Sequence, residues 1–115
     1  CSPALLEGVP RTARVVEEEL FGPVAVLSPF DRFEGALAEA NDSRYGLGAS
    51  VWTKDLSAMH RLAAKIKAGT VWGNSHSLID PALPFGGYKQ SGIGREQGRY
   101  GVESFTQLKS VIIKL

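Results

Sequence analysis

The chain has 115 residues, 43% of them hydrophobic, and balances 13 basic against 12 acidic side chains, so it is long enough for one globular core and carries a net charge of +1. That balance leaves no electrostatic footprint for nucleic acid or an anionic membrane surface. No apolar run approaches the roughly 18 residues of a membrane-spanning helix and the N-terminus lacks a signal-peptide pattern, so a soluble, cytoplasmic protein is expected. The one cysteine, Cys1, cannot form an internal disulfide, which fits a reducing compartment.

In chain order, the first notable stretch is VEEELFGPV at 16–24, where three carboxylates precede a Leu-Phe pair and a Gly-Pro turn. Pro23 disfavours helix at Gly22, so this is either a solvated turn feeding a strand or a ligand site. VAVLSPF (24–30) and GASVWT (48–53) read as strands, while FEGALAEAND (33–42) and DLSAMHRLAAKIKAG (55–69) space their apolar residues as helices do. Asp31 with Glu34 predicts a capping box for the first helix, Asp55 an N-cap for the second, and Gly69 a left-handed C-cap ending it. TVWGN (70–74) is a third short strand. Strands alternating with helices predict crossover units around a parallel-type sheet, an α/β class, with ligands beyond the carboxyl ends of the strands. The turn after Trp72 is therefore a candidate site.

Residues 75–98 contain two prolines and five glycines, too irregular for a regular element and too apolar for a linker. An ordered, functional loop is expected. A short helix over 96–106 follows, and KSVIIKL closes the chain as a strand. That strand pairs either with another subunit or as an edge of the same sheet.

Several motifs fail. GIGREQG has Gln97 where the third glycine of a dinucleotide fingerprint belongs, and no strand leads into it. His60 and His76 have no Cys or second His at metal-ligand spacing, so no metal site is expected. Ser75 and Ser77 flank His76 but do not by themselves make a nucleophile and base. The sequon at Asn41 reads as accidental.

EEELFGPV, ANDSRYGLGASVWTKDL, AGTVWGN, PFGGYKQSGIGRE and YGVESFTQLKSV, in this order, resemble the C-terminal segment of the NAD(P)-dependent aldehyde dehydrogenase superfamily. The resemblance implies that residues 1–107 are the C-terminal part of its catalytic domain and residues 108–115 a terminal oligomerisation strand, giving a homo-oligomer. It implies aldehyde oxidation with NAD or NADP: a cysteine thiolate attacks the aldehyde, hydride leaves the thiohemiacetal, and a glutamate activates water. Both of those residues lie upstream, so no catalytic residue is expected within this chain and Cys1 is not the nucleophile.

By the same resemblance Glu19 accepts the hydroxyls of the nicotinamide-side ribose and Phe21 walls the nicotinamide, the alternative for Phe21 being a core residue under the turn. Glu17 and Glu18 are expected to be solvated. Ser75, His76, Ser77, Ile79 and Phe85 fall along the aldehyde tunnel, with Asn74 as a loop-organising hydrogen-bonder. Gly86 and Gly87 either admit close backbone approach or supply positive φ. DPALPFGG most resembles members acting on arylacetaldehydes. Alone, the chain is expected to be inactive; the alternative is a non-catalytic structural or oligomerisation module.

Overall fold

The computed structural model describes residues 2–115; Cys1 lies outside the described residues. The chain divides into two compact units, Cys1–Arg44 and Tyr45–Leu115.

In the first unit, β1 (Ala4–Glu7) runs parallel to β2 (Val24–Leu27), pairing Ala4 with Val24 and Glu7 with Leu27. Their connection carries one helical turn, α1 (Arg14–Glu17). Neither β1 nor α1 is signalled by the sequence, because four residues are too few for a period and Ala13 caps α1 without a side-chain bond. α2 (Phe33–Asn41) begins where its apolar spacing predicts, but the capping box does not form. Arg32 is the N-cap and makes no side-chain capping bond, so Asp31 stands one residue too early to serve. α2 is tied instead through Glu39, which takes a hydrogen bond from Ser28 and an ion pair from Arg11 at 2.7 Å. No described residue of this unit is buried.

The second unit holds β3 (Tyr45–Gly46), β4 (Gly48–Val51), α3 (Leu56–Lys65), β5 (Thr70–Gly73), β6 (Tyr88–Lys89) and α4 (Gly98–Glu103). β4 and β5 are parallel, with Ser50 opposite Trp72 and Val51 opposite Gly73, and α3 makes the crossover that the sequence predicts. Asp55 caps α3 as expected, accepting from the Ala58 amide at 3.0 Å. One face of the strand pair meets this helix: a Cβ at Gly73 would stand 2.9 Å from Met59 Sδ. The core is small, consisting of Val51, Ala58 and Ala68, with Ala58 only 1% exposed. β3 and β6 form a separate antiparallel ladder, so the described strands make three pairs rather than one continuous sheet.

Gly69 is not a left-handed cap. α3 ends at Lys65 with Ile66 as an extended C-cap, and Gly69 is absent from the positive-φ residues. It is glycine for space, because a Cβ there would drive into the carbonyl oxygen of Gly86. Gly86 and Gly87 also lack positive φ; they admit Arg95 and Ser91 respectively at close range. Residues 107–115 carry no helix or strand. The strand predicted over 108–115 has no ladder partner among the described residues, and strands are defined by pairing. No helix among the described residues is long and apolar enough to cross a membrane.

Candidate functional site

The acidic turn of the first unit separates its three carboxylates by their partners. Glu18 forms a two-pronged pair with Arg14, whose Nε and Nη2 donate at 3.0 and 2.9 Å to the two carboxylate oxygens. That hydrogen bonding holds the Glu18 carboxyl below its ordinary range and raises Arg14 above its own. Glu17 faces Arg44 at 4.0 Å. The two acids expected to be merely solvated are thus the ones with cationic partners. Glu19 is exposed and has no ion pair or hydrogen bond among the described residues.

Two successive short-range bonds then turn the chain, Gly22 N–H to Leu20 carbonyl at 2.9 Å and Val24 N–H to Gly22 carbonyl at 2.8 Å. They leave Phe21 96% exposed, so it is no core residue of its own unit. A free carboxylate and an uncovered aromatic ring thus stand two residues apart on one tight turn. A carboxylate with both oxygens free accepts two hydroxyl donors, as a vicinal diol presents them, and an aromatic face accepts a flat ring.

In the second unit the carboxyl ends of β4 and β5 carry a heavily bonded turn. Asn74 adopts φ 49°, a left-handed conformation that asparagine tolerates. Its Nδ2 donates to the Thr53 carbonyl and its Oδ1 accepts from the Thr53 amide, both at 2.9 Å. Asn74 thus organises the loop by extending the strand pairing with its side chain. Ser75 Oγ donates back to the Gly73 carbonyl at 3.2 Å, and Ser77 is held at φ 57°. His76 Nδ1 lies 2.7 Å from Ser50 Oγ, with its ring edge-on to Trp72 at 5.2 Å. Trp72 Nε1 in turn donates to the Leu78 carbonyl at 2.7 Å.

Beyond the turn, Asp80 Oδ1 accepts from the Ala82 amide at 2.9 Å, and Phe85 and Glu96 exchange backbone hydrogen bonds of 2.8 and 2.7 Å. Arg95 Nη1 donates to the carbonyls of Gly87 and Gly94 at 3.0 and 2.6 Å, with the guanidinium 5.2 Å above the Tyr88 ring. These bonds order residues 75–97, and the stretch expected to hold no regular element carries β6 at Tyr88–Lys89, paired with β3. Phe85 is the wall between two hollows, one shared with Trp72, Leu78 and Ile79, the other with Gly86, Ile93 and Phe105.

Of the loop residues singled out from sequence, Ile79 and Phe85 share a hollow, whereas Ser75 and His76 are bonded into the turn behind it. Glu19 and Phe21 belong to the other unit. Sequence inspection missed Ser50 and Arg95. Ser50 stands 26 positions before its partner, and only the strand register that sets it opposite Trp72 brings it near. His60 and His76 join no group of three metal-ligating side chains among the described residues.

Parallel strand pairs and a crossover helix define the chain as α/β in class. The profile described as "Aldehyde dehydrogenase family" matches residues 1–111, and the chain belongs to that family. Phenylacetaldehyde dehydrogenase of Pseudomonas fluorescens is 51% identical over 87% of this chain and 20% of its own length. Aldehyde dehydrogenase 1 (NAD(P)+) of Saccharomyces cerevisiae is 49% identical over 98% of this chain and 22% of its own. Among solved structures, a mutant of P. syringae AldA, an indole-3-acetaldehyde dehydrogenase in complex with NAD+ and IAA, superposes with a TM-score of 0.91. It is 45% identical, over 96% of this chain and 22% of that one. The chain therefore spans about a fifth of the length of the relatives it matches.

Proposed function

We propose that this chain is the C-terminal part of the catalytic domain of an NAD(P)-dependent dehydrogenase that oxidises an aldehyde to a carboxylic acid, residues 1–107 belonging to that domain and 108–115 to an oligomer interface. The observation that carries the proposal is the turn at 17–24: of three adjacent carboxylates only Glu19 lacks a partner, and Phe21 beside it is uncovered. A diol and a flat heteroaromatic ring fit that pair of groups. When bound, NAD(P) supplies the hydride acceptor. Glu19 accepts hydrogen bonds from the ribose hydroxyls and so sets the position of the ring, and Phe21 shields one face of it from water.

Phe85 and Ile79 form the wall against which the aldehyde's apolar group rests, and Ser75, His76 and Ser77 frame it as a bonded turn. The attacking thiolate and the water-activating glutamate are supplied by sequence upstream of this chain. An arylacetaldehyde is the substrate class that the similarity to the phenylacetaldehyde and indole-3-acetaldehyde enzymes supports. A cytoplasmic setting accords with the single cysteine. For the terminal segment, exposed Val111, Ile112 and Ile113 with no ladder of their own support pairing with a second copy.

The test is aldehyde-dependent NADH and NADPH formation by the full-length enzyme and by the 115-residue chain, with arylacetaldehyde and short aliphatic substrates. Turnover confined to the full-length enzyme is expected. No turnover in either favours a non-catalytic structural or oligomerisation module. Phe85→Ala is expected to change the ratio of kcat/KM between the two aldehydes more than the KM for cofactor.

A further inference from the structure

We propose that Ser50 and His76 act together as positioning residues for aldehyde selectivity: Ser50, on β4, holds the His76 imidazole by Nδ1, and His76 fixes the turn whose far side walls the substrate. This rests on the dehydrogenase reading above and names a residue, Ser50, that the acidic turn and the substrate loop do not contain.

The chain of contacts is short. Ser50 Oγ is 2.7 Å from His76 Nδ1, and the His76 ring stands edge-on to Trp72. Trp72 is packed so closely over Gly48 that a Cβ there would lie 2.7 Å from the indole Cζ3. The indole can therefore settle no further toward β4, and the imidazole meets it from the turn. Trp72 then grips the Leu78 carbonyl, and Trp72, Leu78 and Ile79 line the hollow that ends at Phe85. Release of His76 from Ser50 frees the imidazole that meets the Trp72 edge, so the shape of that hollow changes while the turn at 20–24 keeps its own backbone bonds. Held through Nδ1, the imidazole keeps Nε2 free, so positioning through Nδ1 has to be told apart from substrate contact through Nε2. Asparagine and glutamine separate the two cases, since the asparagine amide falls near Nδ1 and the glutamine amide near Nε2.

The experiment compares Ser50→Ala, His76→Gln, His76→Asn and the Ser50→Ala/His76→Gln double variant in the full-length enzyme. The readout is the ratio of kcat/KM for an arylacetaldehyde to that for a short aliphatic aldehyde, with the KM for cofactor as a check on folding. A ratio shift of up to roughly fivefold, the whole worth of one net hydrogen bond, is expected for Ser50→Ala and for His76→Gln, carried by KM, with no further shift in the double variant. His76→Asn is expected to stay within about twofold of the wild-type ratio, because the bond to Ser50 is kept. A wild-type ratio in Ser50→Ala, a shift in His76→Asn as large as in His76→Gln, or multiplying effects in the double variant overturns the proposal. A wild-type enzyme without aldehyde-dependent turnover overturns the dehydrogenase reading, and this inference with it.

Discussion

The two units each contain a parallel strand pair, yet they differ in what covers it. In the second, α3 carries a working N-cap, packs Met59 onto Gly73 and buries Ala58 beside Val51, so the β4–α3–β5 unit has a core of its own. In the first, the β1–β2 connection offers four helical residues, and Leu5, Phe21, Phe30 and Phe33 are all exposed. The same pairing is thus a finished element in one unit and an apolar surface in want of cover in the other. The bonded turn beside the hollow that Phe85 lines belongs to the finished element, while the turn with the unpaired carboxylate belongs to the uncovered one.

The largest expected effect would break the finished element. Gly69→Ala forces a Cβ into the Gly86 carbonyl, so the β5 start and the Phe85 loop cannot both keep their places. A loss of about 3 kcal/mol or more is expected, read as a fall in melting temperature and soluble yield of the full-length enzyme. An unchanged melting temperature would mean that this close approach is not a constraint.

The next effect would sharpen the contrast among the acids of the other unit. Glu19→Gln in the full-length enzyme is expected to raise the KM for cofactor about tenfold, since a charge-assisted acceptor is lost, and to leave the melting temperature alone. Glu18→Gln, which loses only the Arg14 pair, is the matched control and is expected to leave cofactor KM unchanged. Equal effects of the two substitutions would remove the distinction between paired and unpaired carboxylates.

A smaller effect is expected from Asp55→Ala, which removes the cap of α3 and costs about 1 kcal/mol, seen as faster hydrogen exchange at the Ala58 amide. The smallest concerns pH. Ser28 and then Arg11 hold the Glu39 carboxyl below its usual 4.5, so the folded form binds that proton less readily than the unfolded chain. The stabilisation is present above the unfolded value and is lost as pH falls through the folded one. Glu39→Gln is expected to flatten stability against pH in that acidic window only, by less than about 1 kcal/mol because the pair is solvent-screened. A change confined to neutral pH would rule out this assignment.

Much of this was legible in the residues. The spacing of apolar side chains marks α2 and α3, the β-branched runs mark β2, β4 and β5, and Asp55 announces its cap, because each signal is local and repeats within one element. The five motifs named the family for the same reason: they are short segments kept in order. The glycines were only half legible. That Gly69 and Gly86 matter follows from their type, but whether for φ or for space depends on what approaches them, and that neighbour is distant in sequence.

By itself, then, the sequence determined the family, the strand and helix alternation, and the type of residue at the acidic turn and in the stretch after Asn74. Only the tertiary structure decided which of three identical carboxylates is left unpaired, that Asn74 completes the strand pairing, and that Ser50 is the partner of His76. Those depend on register and on Coulombic and hydrogen-bond pairing between residues brought together by folding, and no local pattern encodes such distances.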